Sequence, residues 1–145
     1  MPKVQADGLP LPQRYGAILT IVIGISMAVL DGAIANVALP TIATDLHATP
    51  ASSIWVVNAY QIAIVISLLS FSFLGDMFGY RRIYKCGLVV FLLSSLFCAL
   101  SDSLQMLTLA RVIQGFGGAA LMSVNTALIR LIYPQRFLGR GMGIN

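Results

Sequence analysis

Four long apolar runs dominate the sequence and decide what the chain can fold into. A helix needs about 20 predominantly apolar residues to cross the hydrocarbon core of a bilayer. A soluble domain of 145 residues has too little interior to hide this much apolar surface. The sequence therefore predicts an all-α polytopic membrane protein with four transmembrane helices and the start of a fifth near residue 138. The predicted spans are about 17–39, 53–74, 83–100 and 104–128.

The composition argues against several classes of function. Charged residues make up 10% of the chain and hydrophobic residues 58%, whereas soluble domains contain about 25% charged residues. This balance argues against a soluble enzyme and a disordered tail. It also argues against a nucleic-acid partner, although the net charge is +4, because the basic residues cluster at the ends and in the connections of the predicted spans.

The sequence offers no arrangement typical of catalysis or metal binding. It contains one histidine and two cysteines, Cys86 and Cys98. On one helix these cysteines lie about 18 Å apart, beyond the roughly 7 Å that a disulfide allows. We interpret them as small apolar packing residues. No enzymatic activity, no metal and no cofactor is therefore expected.

Lysine and arginine predict the orientation in the membrane. Apart from Arg111, they precede the first span, lie between the second and third, or follow the fourth, as Lys3, Arg14, Arg81, Arg82, Lys85, Arg130, Arg136 and Arg140. Cytoplasmic connections carry the excess of Lys and Arg. The distribution predicts that residues 1–16 form a cytoplasmic N-terminal segment of a multi-pass protein, whose first partner is the lipid bilayer.

Local signals predict where the spans end. Proline cannot continue the backbone hydrogen-bond ladder, so Pro40 predicts the end of the first span. Residues 48–53, Ala-Thr-Pro-Ala-Ser-Ser, predict a turn into a capped helix start. The basic N-terminus and the apolar run after it also resemble a cleavable signal peptide. A retained helix is favoured, because apolar sequence continues to Leu39 and three further spans follow.

Two charged residues interrupt the apolar runs, Asp31 in the first and Arg111 in the fourth. A charge at the bilayer centre costs at least about 2.5 kcal/mol on insertion scales, so both are candidates for function. At 1.5 Å per residue, Asp31 lies about 21 Å from the cytoplasmic boundary and Arg111 about 10 Å from the opposite one. In a core about 30 Å thick these depths are similar. The sequence permits a contact without establishing that the two helices are neighbours.

If these charges are in contact, the distance between them would affect whether Asp31 binds a proton. Desolvation favours the neutral form of Asp31, whereas an adjacent guanidinium favours the ionised form. Moving Arg111 toward or away from Asp31 would then release or take up a proton. The alternative is a static ion pair that only makes both helices insertable.

Other polar and small residues suggest a cavity and packing faces. Amide side chains within the spans are candidates for a substrate cavity, although each could simply form a hydrogen bond between helices. A stripe of small residues that begins at Gly115 predicts close helix packing. We interpret Trp55 and Tyr60 as aromatic residues of the outer membrane interface. The amides are Asn36, Asn58, Gln61 and Gln114.

Three stretches resemble the major facilitator superfamily. Residues 76–82, Asp-Met-Phe-Gly-Tyr-Arg-Arg, are similar to its signature loop between the second and third spans. Residues 111–115, Arg-Val-Ile-Gln-Gly, resemble the Arg-x-x-Gln-Gly motif of proton antiporters. Residues 30–40 and 55–60 resemble the fourteen-span drug:proton antiporter family.

The resemblance implies a function for the whole protein. Residues 17–145 would form a partial N-terminal transmembrane bundle of a proton-coupled multidrug exporter in the bacterial inner membrane. Its partners would be protons, lipophilic or cationic small molecules, and a C-terminal remainder of the transporter. Two alternatives remain: a facilitator or symporter for small polar solutes on the same fold, and a membrane fragment that does not transport.

The resemblance also implies roles for individual residues. Proton coupling would involve Asp31 and Arg111. The substrate cavity would involve Asn36, Asn58, Gln61, Gln114 and Gly115. A cytoplasmic gating loop would contain Asp76, Gly79, Arg81 and Arg82. The sequence departs from the signature loop at Ser72, where glycine is usual, and at Met77, where a basic residue is usual, so one salt bridge of this loop lacks its cation.

Overall fold

A computed structural model describes residues 10–132 and Gly139. It contains four helices, all long and apolar enough to cross a membrane. This confirms the predicted class of fold. The expected start of a fifth helix near residue 138, most of the N-terminal segment, and Lys3, Arg136 and Arg140 lie outside the described residues. The helices are α1 (Leu11–Asp45), α2 (Pro50–Phe78), α3 (Tyr80–Ala99) and α4 (Leu104–Ile132).

Helix α1 continues through Pro40 and ends at Asp45. The prediction that Pro40 ends the first helix is wrong. Proline removes a single backbone hydrogen bond, and lipid offers the backbone no other partners, so a helix in a membrane can continue past it. Beyond the proline, the Thr44 hydroxyl donates to the carbonyl oxygens of Pro40 and Thr41.

Helix α2 begins as the sequence predicts. The Thr49 hydroxyl accepts a hydrogen bond from the backbone N–H of Ser52 at 3.2 Å. Pro50 occupies the first helical position, where a backbone N–H has no partner within the helix. The capped start predicted from residues 48–53 is confirmed.

A single residue, Gly79, joins α2 to α3. Its φ of 93° lies in a region that glycine enters without the steric cost of a Cβ. The predicted gating loop is therefore not a loop. Asp76 lies in the last turn of α2, and Arg81 and Arg82 lie in the first turn of α3. The apolar runs, which end at residue 74 and begin again at residue 83, are shorter than the helices at this junction. Charged residues can extend a helix beyond its apolar run, because their side chains in a terminal turn reach the aqueous boundary.

Helix α4 occupies the centre of the described bundle and packs most extensively against α2 and α3. A Cβ added to Gly115 would lie 2.7 Å from the Cβ of Ala63 in α2. A Cβ added to Gly117 would lie 2.7 Å from the backbone nitrogen of Phe91 in α3. Small residues permit these close backbone approaches. The contact at Gly115 agrees with the close packing predicted there, and Gly117 adds a second packing face toward α3 that the sequence analysis did not single out.

Helix α1 packs less extensively against the bundle than the other three helices do. The Tyr84 hydroxyl of α3 donates to the carbonyl oxygen of Thr20 at 2.9 Å, and Ile21 and Ala28 are buried. Many of the other large apolar side chains of α1 are exposed, including Ile34 and Val37. The contacts of α1 with the rest of the bundle are therefore confined to a narrow face, and Asp31 contributes to them.

Candidate functional site

The fold brings Asp31 of α1 into direct contact with Arg111 of α4. The guanidinium Nη1 donates to Asp31 Oδ2 at 2.6 Å, across 80 positions of sequence. The Arg111 side chain is 4% exposed and the Asp31 side chain 25% exposed. The two charges lie at one level of the bundle, in agreement with the depths expected from the sequence. Burial at this level requires that each charge be compensated, and the ion pair supplies each side chain with an opposite charge.

Gln114 ties this ion pair to a third helix. It lies three residues after Arg111, on the same face of α4, and is fully buried. Its Oε1 accepts a hydrogen bond from Arg111 Nη1 at 2.7 Å. Its Nε2 donates to Asp31 Oδ1 at 3.0 Å and to Ser95 Oγ of α3 at 2.7 Å. One amide therefore connects α1, α3 and α4.

Two residues of α3 in this network were missed by the sequence analysis. Ser95 was not singled out, and Cys98 was interpreted as an apolar packing residue. The Cys98 thiol donates to Gln114 Oε1 at 3.6 Å. The signal in the sequence is their spacing of three, which places both on one face of a helix, at a level near that of Asp31.

Tyr60 of α2 forms the remaining wall of the site. Its ring centroid lies 4.5 Å from the Cζ atom of Arg111, and only 4% of the residue is exposed. The interpretation of Tyr60 as an aromatic residue of the membrane interface is therefore wrong. The error concerns the direction of the side chain, because Tyr60 faces the bundle interior instead of the headgroup region.

A cavity of about 390 Å³ leads to the ion pair. Asp31, Arg111 and Cys98 lie along it, and Asp45 and Ser101 line it near the ends of α1 and α3. These helix ends lie opposite the basic first turn of α3. The cavity therefore connects the partly exposed carboxylate of Asp31 with the end of the bundle that is predicted to lie outside the cytoplasm.

The other residues predicted for a substrate cavity do not join this network. Asn36, Asn58 and Gln61 are exposed on the surface of the described bundle, and Asn36 Nδ2 donates to the carbonyl oxygen of Gly32 in its own helix at 3.0 Å. Gly115 contacts the backbone of α2, which leaves no room for a ligand. Among the predicted cavity residues, only Gln114 contacts the ion pair.

The four residues predicted to form a gate lie together at the junction of α2 and α3. Asp76 accepts a hydrogen bond from the hydroxyl of Tyr80, so its carboxylate bridges the two helix ends. Arg81 and Arg82 are exposed. A single residue, Gly79, separates the two helices that carry these acidic and basic side chains.

The fold and the site together define a class of membrane protein. Four membrane-crossing helices enclose a compensated pair of charges, and intramembrane charges of this kind line the routes of ions and solutes. A family model of the Major Facilitator Superfamily matches residues 21–145. The chain belongs to the major facilitator superfamily, whose members are transporters rather than enzymes. The resemblance found in the sequence motifs is confirmed.

Curated relatives are identical to the chain at a third or more of the aligned positions. The riboflavin transporter RibZ of Clostridioides difficile is 34% identical over 92% of this chain and 29% of its own length. The tetracenomycin C resistance and export protein of Streptomyces glaucescens is 34% identical over 94% of this chain and 25% of its own length. The multidrug resistance protein MdtD of Salmonella paratyphi B is 39% identical over 79% of this chain and 24% of its own length. The chain thus spans about a quarter of the length of these relatives.

Proposed function

We propose that the chain is the N-terminal part of a proton-coupled exporter of lipophilic or cationic small molecules in the bacterial inner membrane. The observation that carries the proposal is the contact of Asp31 with Arg111 at the end of an open cavity. Two relatives are named for drug resistance or antibiotic export, which supports outward transport of such compounds.

Proton binding at Asp31 would change how α1 is held. The ionised carboxylate accepts from Arg111 through Oδ2 and from Gln114 through Oδ1. A proton on either oxygen removes the charge that attracts the guanidinium and one of the acceptor sites. Since α1 packs least extensively against the bundle, weakening these two bonds would release α1 from α4 at this level.

Exchange follows if substrate and proton compete for the same carboxylate. A cationic compound in the cavity would be attracted to ionised Asp31, which is 25% exposed, and a proton would remove that attraction. The occupied states would therefore exclude each other, which is the requirement for an antiporter. Arg111 keeps the empty site electrically neutral.

The test uses the complete gene product that contains this chain, reconstituted in proteoliposomes with an imposed pH gradient. Transport of tetraphenylphosphonium, a lipophilic cation, is measured for the wild-type protein and for Asp31→Asn. We expect the variant to insert into the membrane, with a lower unfolding stability because Arg111 loses its counter-charge, and to lose proton-driven transport. Asp102→Asn is the matched control, because Asp102 is an exposed acid in the α3–α4 connection. Wild-type transport by Asp31→Asn would contradict the proposal.

The relative named as a riboflavin transporter favours a second candidate, a facilitator or symporter for small polar solutes. Asn58 and Gln61 are exposed on α2 and could bind such a solute. In the same proteoliposomes, riboflavin uptake that persists in Asp31→Asn and decreases in Asn58→Leu would support this alternative over proton-coupled export. Transport of neither probe by the wild-type protein would favour the third possibility, a chain that inserts without transporting.

A further inference from the structure

We propose that the aromatic ring of Tyr60 is a positioning group that holds the Arg111 guanidinium against α2 when Asp31 becomes neutral. The inference rests on the proposed proton binding at Asp31. It assigns to α2 a part in the coupling step, and it identifies α1 as the helix that is released.

The hydrogen bonds of Arg111 are confined to one end of its guanidinium. Nη1 donates to Asp31 and Gln114, whereas Nε and Nη2 are buried without a hydrogen-bond partner in the described part of the chain. The face of the guanidinium lies against the Tyr60 ring, 4.5 Å from its centroid. An aromatic face attracts a cation, and more strongly where water is excluded. The ring therefore stabilises the charge that these hydrogen bonds compensate only in part.

The hydroxyl of Tyr60, unlike its ring, does not take part in the contact with Arg111. Its oxygen is buried and has no hydrogen-bond partner within residues 10–132. The observed contact with Arg111 is made by the ring. Phenylalanine would present the same face without the unpaired hydroxyl, so a Tyr60→Phe variant distinguishes the ring from the hydroxyl.

Glycines of α4 allow the ring to lie in this position. A Cβ at Gly118 would lie 3.1 Å from the Tyr60 hydroxyl oxygen, and a Cβ at Gly115 would lie 2.7 Å from the Tyr60 carbonyl oxygen. Both the backbone and the side chain of Tyr60 thus pack directly against α4. Since α2 and α4 also pack extensively, a displacement of α1 does not require the ring to separate from the guanidinium.

The ring affects the pH dependence of transport. The titratable or charged groups at the site are Asp31 of α1, Tyr60 of α2, Cys98 of α3 and Arg111 of α4, with Asp45 near the mouth of the cavity. Neutralising Asp31 leaves the buried cation dependent on Tyr60 and Gln114. Without the ring, that state loses more stabilisation than the ion-paired state does, because the guanidinium no longer has a carboxylate to attract it. The pH profile of transport would therefore move to lower pH.

The experiment compares the pH profiles of tetraphenylphosphonium transport by the complete gene product carrying Tyr60→Leu, Tyr60→Met or Tyr60→Phe. We expect Phe to keep the wild-type profile. The ring contacts Arg111 in the ion-paired state as well, so only the part of the contact that strengthens when Asp31 is neutral moves the profile. Leu and Met should therefore shift the half-maximal pH downward by up to about one unit, the upper bound set by a desolvated cation–π contact. Two side chains without a ring are used so that a folding defect in one leaves the other to decide.

Each outcome supports or contradicts the inference. Wild-type pH profiles for the variants without a ring would overturn it while leaving the proposed function intact, provided that Asp31→Asn abolishes proton-driven transport. An equal shift in Tyr60→Phe would also overturn it, since the hydroxyl would then be responsible. Proton-driven transport that survives Asp31→Asn would refute the proposed function itself, and the inference with it.

Discussion

Gln114 Nε2 donates a hydrogen bond to Asp31 Oδ1 across the α1–α4 interface at 3.0 Å. The second oxygen of the same carboxylate accepts from Arg111. Both oxygens of Asp31 are therefore held from one helix, and the contact between α1 and α4 at this level depends on the ionised state of a single side chain. A proton on Asp31 would make one of its oxygens a hydrogen-bond donor, although both oxygens face donors, Arg111 Nη1 and Gln114 Nε2.

Removing the Gln114 amide should destabilise the bundle. Gln114→Leu would leave Ser95 and one oxygen of Asp31 without this donor. A buried group left unpaired costs about 1–3 kcal/mol, and because these two groups are only partly buried, we expect a loss at the lower end of this range. We expect a lower midpoint of thermal unfolding in detergent, measured by circular dichroism. Gln105→Leu is the control, because Gln105 is exposed on the same helix. An unchanged midpoint for Gln114→Leu would mean that the network contributes little to stability.

Asp31 and Arg111 should show strong energetic coupling. Removing one partner of a buried ion pair costs about 3–5 kcal/mol, because the other charge is left uncompensated. We expect the double variant Asp31→Asn/Arg111→Gln to be less destabilised than the sum of the two single variants. The measurement is a double-mutant cycle of unfolding free energies in detergent micelles. Additive effects would show that the pair is not formed in the folded protein.

Glycine 117 should not tolerate a side chain. A Cβ there would lie 2.7 Å from the backbone nitrogen of Phe91, and the two helices would have to separate. We expect Gly117→Ala to destabilise the bundle by about 1–3 kcal/mol, measured as a shift in the unfolding midpoint. Gly32→Ala is the matched control, since no atom apart from the adjoining backbone of its own helix lies within 4 Å of its added Cβ. Equal effects of the two substitutions would contradict the packing described for α3 and α4.

The two ends of the bundle should be accessible from opposite sides of the membrane. In a background with Cys86→Ser and Cys98→Ser, we expect Arg82→Cys to react with a membrane-impermeant maleimide only after the cells are opened. Asp102→Cys should react in intact spheroplasts. This follows from the excess of basic residues expected on the cytoplasmic side. The reverse pattern of labelling would invert the predicted topology.

The four helices of residues 10–132 and the common level of the two charges in the bundle could be predicted from the sequence. Crossing a bilayer requires a certain length of apolar helix, and the rise per residue is constant. The depths of Asp31 and Arg111 therefore follow from counting along the chain. The capped start of α2 could also be predicted from the sequence, since the Thr49 hydroxyl accepts a hydrogen bond from a backbone N–H only three residues away.

The directions in which side chains point were decided by the tertiary structure. Lipid is as apolar as the interior of a helical bundle, so no alternation of polar and apolar residues marks the buried face of a membrane helix. Tyr60 could therefore face the headgroups or Arg111, and Asn58 could face a cavity or the bundle surface. The packing of α2 and α3 on the glycines of α4 determines these rotations, and it brings Tyr60, Ser95 and Cys98 to the ion pair. A linear sequence specifies the depth of each residue, and only the neighbouring helices specify its direction.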